Sequence, residues 1–244
     1  MKYSKPNYLF VVLCLILIIA TIKPASAYEE VSVENGGELS GTVKFSGQAS
    51  VTKVLNVDRN PEYCGKTVLD ESLIVNPENK GIQNVVVSLE GINKGKKHIP
   101  TSIVLENSKC HFVPHILGGV VGDTYELKNS DTVLHNTHLR FEGGSTLINV
   151  VLPPDGVNVK RPLTTPGILN ANCDAHRFMK GNILVFDQPY FSITDNNGEF
   201  RISDIPPGHY KIKIWHETLP VKEKEVTIMP NKNTNLTVDL SFDK

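Results

Sequence analysis

The residues of this chain best suited to chemistry lie in one short stretch, Asn172-Cys173-Asp174-Ala175-His176-Arg177-Phe178-Met179-Lys180-Gly181. A thiolate, an imidazole and a thioether follow one another there at the spacing Cys-x2-His-x2-Met. Soft sulfur ligands beside an imidazole suit copper. A trigonal set of two histidines and one cysteine, with a weak axial methionine, makes an electron-transfer site. One imidazole is missing from the stretch, and His135 in Leu134-His135-Asn136-Thr137-His138 is the candidate to supply it. Without a metal, the same cysteine and methionine would read as buried hydrophobes that fill a core.

Such a set dictates its own scaffold. Three side chains turned inward from one loop require Cys173 to end a strand and Gly181 to open the next, with Pro166-Gly167 starting the incoming strand. His135 belongs on a different strand and deeper, so that two elements clamp the ion. A rigid clamp keeps the geometry alike in both copper oxidation states, and little then rearranges when an electron moves. Asn136 is placed to hydrogen-bond across to the ligand loop as an outer support. Phe178 and Pro166 shield the metal, and His176, on the short loop, is expected at the domain surface.

The signals that precede the loop run Phe112-x-Pro114, Gly122-Asp123-Thr124, Asn129-x-Asp131, His135-Asn136 and Pro166-Gly167. That order resembles the cupredoxins of the plastocyanin and amicyanin type, and the loop spacing is most similar to amicyanin. The resemblance covers roughly Ile103 to Asp187. It implies a Greek-key β-sandwich with one mononuclear copper held by His135, Cys173, His176 and Met179. A wider combination adds Tyr63-Cys64-Gly65, Cys110, Pro114-His115 and the stretch from Asp195 to Glu217. It resembles the plastocyanin-like proteins of the methylamine-utilisation type, whose functions are poorly defined.

Residues 1–27 read as an export signal. Lys2 and Lys5 supply the positive start, Leu9 to Ile22 is apolar apart from Thr21, and Ala25-Ser26-Ala27 offers the small-x-small cleavage site. The apolar run is short for a membrane span, which needs about 20 residues. Cleavage would leave Tyr28 as the mature N-terminus in a periplasmic or secreted protein, with no stable membrane insertion. The whole chain carries 25 basic and 26 acidic residues. Losing Lys2, Lys5 and Lys23 leaves a mildly acidic protein, and no basic patch argues for nucleic acid.

Three cysteines remain after cleavage: Cys64, Cys110 and Cys173. An oxidising compartment favours a disulfide, and an odd cysteine needs an explanation. The copper reading withholds Cys173 and leaves Cys64 and Cys110 as the remaining pair. Two free buried thiols are the alternative.

The body reads as all-β. Glu38 to Phe45 alternates, Ile82 to Leu89 is a β-branched run, and short strand-like segments follow at Ile103–Leu105, Thr124–Leu127, Thr137–Phe141, Leu147–Leu152 and Asn182–Phe186. No stretch carries a long helical apolar face. Near the C-terminus, Phe191 to Phe200 reads as strand, turn, strand, with Asn197-Gly198 supplying the turn of a tight hairpin. With Ile205-Pro206-Pro207-Gly208-His209-Tyr210 it resembles the carboxypeptidase regulatory-like (transthyretin-like) sandwich. That resemblance implies opening strands like Gly41-Thr42-Val43 and Gly81 to Val87, which lie before the copper stretch. The expected organisation is therefore 28–102 as an N-terminal β segment, 103–188 as the copper domain and 189–244 as the regulatory-like sandwich. The copper domain either interrupts that sandwich or keeps the early strands in its own sheet.

Other candidates read as background. His115 with His138 could make a second metal site, although lone core or surface histidines are commoner. His111, His98 and His209 read as solvated. Trp215-His216-Glu217 marks either a packed core tryptophan with a surface pair or a contact with the copper domain or a partner. Asp70-Glu71 lacks a polar partner for catalysis, and phosphate-loop, zinc-helix and nucleophile-elbow motifs are missing. The sequence therefore indicates a non-enzymatic carrier of single electrons. Its partner would be a redox protein such as a cytochrome c or a copper or quinone oxidoreductase. Copper storage or delivery, and a metal-free binding module, are the alternatives.

Overall fold

A computed structural model describes residues 28–47 and 53–243 of the chain, so the export signal expected at 1–27 lies outside the described residues. The protein is all-β, with a single helix of four residues, Pro61–Cys64, among those described. No helix among them is long and apolar enough to cross a membrane.

Two sheets enclose the copper-ligand candidates. One runs in the order Val159–Pro162, Thr124–Asn129, Ser102–Ser108, His111–Val113. The other runs Thr146–Leu152, His135–Phe141, Gly167–Asn172, Lys180–Phe186, Ile116–Val120. Each sheet contains one parallel pair, Ser102–Ser108 with Thr124–Asn129 and Ile116–Val120 with Lys180–Phe186. These crossings between sheets make the Greek-key sandwich expected of a cupredoxin. Its core includes Leu105, Phe112, Leu127, Leu139, Leu169 and Ile183, all at most 1% exposed. Cys173 and Met179 sit in the same cluster.

A second, smaller sandwich draws strands from both ends of the chain. Val86–Glu90 lies between Phe191–Ile193 and Gly208–Trp215, with Lys222–Ile228 beyond. Gly37–Phe45 lies between Glu199–Ile205 and Asn233–Leu240. The alternation seen in the sequence is real here, since Gly37–Phe45 buries every second residue. Leu39, Val43, Val87, Leu89, Ile212 and Ile214 fill the space between the sheets.

The tight hairpin expected at Asn197-Gly198 does not form. Phe191–Ile193 and Glu199–Ile205 join different sheets, so the turn between them is an arch across the sandwich. Gly198 has φ +76°, and a Cβ there would collide with the Val43 carbonyl oxygen and lie 2.7 Å from Gly81 Cα. The glycine therefore serves a close backbone approach as well as a left-handed turn. The pull of two apolar faces, one on each sheet, outweighs the local hairpin preference.

The two sandwiches touch through a small apolar cluster. Trp215 and Val86 from one meet Ile116 and Leu184 from the other. Beside it, His115 Nε2 pairs with Glu217, and Glu71 stands 3.8 Å from His115 Nδ1. Trp215-His216-Glu217 thus contacts the larger sandwich, and the isolated core-and-surface reading does not hold. His98 is not solvated either, because its Nε2 lies 2.7 Å from Oδ1 of the buried Asp123. His209 is exposed as expected.

Candidate metal centre

Cys173 follows the end of strand Gly167–Asn172, and Lys180–Phe186 opens one residue after Met179. The loop between them closes through a hydrogen bond from Met179 N–H to the His176 carbonyl, 2.9 Å. At Gly181 a Cβ would lie 2.9 Å from the His115 carbonyl oxygen, so the chain leaving the loop runs close against its neighbour. His135 begins the strand His135–Phe141, which pairs with Gly167–Asn172. Two strands of one sheet thus present the cysteine and the first histidine side by side.

The side chains converge. Cys173 Sγ lies 3.9 Å from His135 Nδ1 and 3.7 Å from His176 Nδ1. The three donor atoms all lie within 4.8 Å of one another. With metal–ligand bonds of about 2.0–2.3 Å, a trigonal ion separates its nitrogen and sulfur ligands by about 3.7 Å. The observed spacings suit a shared ion and are long for direct hydrogen bonds. His135 and His176 are fully buried, Cys173 and Met179 are 2% exposed, and the two imidazole centroids lie 4.6 Å apart.

The outer nitrogens decide which face of each ring is free. His135 Nε2 lies 2.8 Å from Asp131 Oδ2, and His176 Nε2 lies 3.1 Å from Asn60 Oδ1. Each oxygen accepts the Nε2 proton, which leaves both Nδ1 lone pairs facing Cys173. Burial holds both imidazoles below their ordinary pKa, and for His176 the neighbouring His135 adds to the effect. Both rings are then neutral and ready to bind a metal near neutral pH.

Asp131 is the hub of this support. Its Oδ1 accepts from Lys109 N at 2.6 Å and from the Tyr63 hydroxyl at 3.0 Å, and its Oδ2 accepts from Cys110 N at 2.8 Å. Burial pushes the carboxyl up. The Cys110 and Lys109 amides, His135 and Tyr63 outweigh it and hold the pKa below the usual carboxylate value. A grouping of Cys110, Asp131 and His135 also brings three potential donors together. Cys110 is committed to a disulfide with Cys64, so this grouping braces the centre.

Asn136 does what its position implied. Its Oδ1 accepts from Asp174 N at 2.7 Å and Ala175 N at 3.3 Å, and its own N–H donates to Cys173 Sγ at 3.4 Å. Phe178 packs edge-on to His176.

The expectation that His176 reaches the surface fails. The segment before Cys64 folds over the ring, a cover for which the sequence reading had no place. Asn60-Pro61 and Cys64-Gly65 were its signal: Asn60 takes φ +53°, Pro61 starts the helix, and Gly65 at φ +85° ends it. His115 and His138 do not share a site. His115 faces Glu217 and Glu71, whereas His138 joins Asp174 and Thr146 on a polar rim. His111 is half-buried, with Nδ1 on the Lys109 carbonyl.

Comparison with known proteins finds partial similarity only. A family model described as polysaccharide lyase family 4, domain II, matches residues 187–236. No curated protein sequence matches the chain. Among solved structures, a reduced amicyanin variant is 26% identical, covering 34% of this chain and 81% of that one at a TM-score of 0.31. A purple cupredoxin from Nitrosopumilus maritimus is 23% identical, covering 35% and 98% at a TM-score of 0.30. A Cu-containing nitrite reductase from Thermus scotoductus is 25% identical at a TM-score of 0.33, and the match covers 38% of this chain and 24% of that enzyme.

Proposed function

We propose that this chain is an exported copper protein that carries single electrons between redox proteins and catalyses no reaction of its own. One observation carries the reading: the Nδ1 atoms of His135 and His176 converge on Cys173 Sγ at 3.9 and 3.7 Å respectively, while oxygens of Asp131 and Asn60 occupy both Nε2 atoms. His135, Cys173 and His176 would hold one copper ion, with Met179 as the weak fourth ligand. The ion, when bound, supplies the one-electron redox couple. The chain contributes burial, which keeps water from the ion, and fixed imidazoles, which limit rearrangement. Four protein ligands leave no open position for a substrate.

In this reading residues 103–188 form the copper sandwich, inserted between the two halves of a regulatory-like sandwich that serves as scaffold. The expected location is the periplasm or outside the cell, and the partner is a redox protein such as a cytochrome c or a copper or quinone oxidoreductase.

The test is the visible spectrum of the oxidised, copper-loaded protein. An intense blue or green colour from thiolate-to-copper charge transfer is expected, and Cys173→Ser should abolish it. A colourless protein after Cu(II) loading, or colour that survives in Cys173→Ser, refutes the proposal.

A further inference from the structure

The cover over His176 is an unusual piece of chain. It begins after strand Val54–Asn56, runs through Asp58-Arg59-Asn60 and the helix Pro61–Cys64, and returns as Thr67–Leu69, which pairs with Val54–Asn56. It touches the outer nitrogen of one ligand imidazole and the support of the other. Asn60 Oδ1 meets His176 Nε2 directly at 3.1 Å. The Tyr63 hydroxyl donates to Asp131, the same carboxylate that holds His135 Nε2. Cys64 ties its far end to Cys110, whose amide also donates to Asp131.

Beyond those contacts the strap has little core: it buries one apolar side chain, Val68 at 7% exposed, and packs Cys64 partly against the core of the larger sandwich. The helix Pro61–Cys64 buries none of its residues. A segment with little buried apolar surface opens at small cost. Beneath it, however, His176 is fully buried, so neither water nor a chelator reaches that ligand while the strap is closed.

We propose that Asn60 is a positioning residue for His176, and that the strap carrying it governs exchange of the metal. Asn60 fixes the ring so that Nδ1 faces Cys173, and the Cys64–Cys110 tether keeps Asn60 in place. The ion enters and leaves when the strap lifts. This inference rests on the copper reading above, and its test includes a measurement on the metal-free protein.

Asn60→Gly removes the side chain and keeps the left-handed backbone accessible, while Asn60→Asp keeps an acceptor. In the copper-loaded protein, Cu(I) transfer to bicinchoninate is timed. Loss of an outer partner of a metal-bound histidine typically costs about 10–100-fold in affinity, so release from Asn60→Gly should quicken by that order. Asn60→Asp should restore slow release. Tyr63→Phe and the Cys64→Ser/Cys110→Ser pair, which loosen the strap without touching Asn60, should quicken release too. In the metal-free protein, diethyl pyrocarbonate modification of His176 is mapped by mass spectrometry. It should be slow in the parent and fast in Asn60→Gly and in the tether variant. A protein that binds no copper refutes the copper reading alone, and the modification rates then decide the strap. Release and modification rates unchanged in Asn60→Gly and in the tether variant would overturn this proposal while leaving the copper centre intact.

Discussion

Asp131→Asn is the substitution that best tests how the centre is braced. The carboxylate is 4% exposed and accepts four hydrogen bonds, from Lys109 N, Cys110 N, the Tyr63 hydroxyl and His135 Nε2. An asparagine can keep Oδ1 against Lys109 and Tyr63. Its amide nitrogen must then replace Oδ2, where two donors already point. The Cys110 N–H is left unpaired, which costs about 1–3 kcal/mol, and the retained bonds weaken from charged to neutral acceptors. A net loss of about 3 kcal/mol follows, read as a lower urea midpoint of the metal-free protein at pH 7. His135 has one escape, to accept at Nε2 from the new amide. That moves its proton to Nδ1, the atom required by the metal, so copper affinity should fall by about 10–100-fold. Both effects are measurable in one purified variant, by denaturation and by competition with a chromophoric chelator. A stability change under about 0.5 kcal/mol, within the range of ordinary surface substitutions, together with unchanged affinity, would refute the account of Asp131 as the hub.

Other expectations follow from single features. Met179→Gln should keep the colour and lower the reduction potential, because a harder oxygen favours Cu(II); an unchanged or higher potential would make Met179 core filler. Removing the Cys64–Cys110 bridge, whose cysteines lie 46 positions apart, should cost about 4 kcal/mol by loop entropy, and calorimetry of the double serine variant would show it. His216 is 3% exposed and its pKa is pushed down to about 4, first by burial and then by the neighbouring His115. The unfolded chain takes up that proton near pH 6.5, so stability should fall between pH 6.5 and 4 by about 3 kcal/mol. His216→Gln should flatten that slope. His115 works in the opposite sense. Although burial alone would lower its pKa, Glu217, Glu71 and Asp70 raise it, so its contribution is complete below pH 6.5 and fades as pH rises through the folded value.

The ligand stretch was legible because its chemistry is local. Cys173, His176 and Met179 announce themselves by residue type and spacing, and His135-Asn136 falls in the order that the cupredoxin resemblance implies. Strand alternation was legible for the same reason, as in Gly37–Phe45. What stayed hidden depends on distant pairing. The stretch Asp195-Asn196-Asn197-Gly198 carries a hairpin signal, and only the competing sheets reveal that its flanks part. Asn60 carries no metal-ligand signal at all, and its contact with His176 spans 116 positions. His115 and Glu217, 102 positions apart, become partners only once the two sandwiches dock.

The centre is consequently larger than the segment that resembles a cupredoxin. Residues 103–188 supply every candidate ligand, yet the oxygen on His176 Nε2 belongs to Asn60 and the partner of Cys110 is Cys64. The chain that carries both lies between Gly37–Phe45 and Val86–Glu90, two strands that pair with the C-terminal segment. Fixing those strands restrains both ends of the intervening chain, which narrows the search by which Asn60 finds His176. His115 and Glu217, with Trp215 against Ile116 and Leu184, then hold the two sandwiches in register. The smaller sandwich thus bears on the candidate metal centre without lending it a ligand: it anchors the chain on either side of the strap, and the strap meets the outer edge of the imidazole.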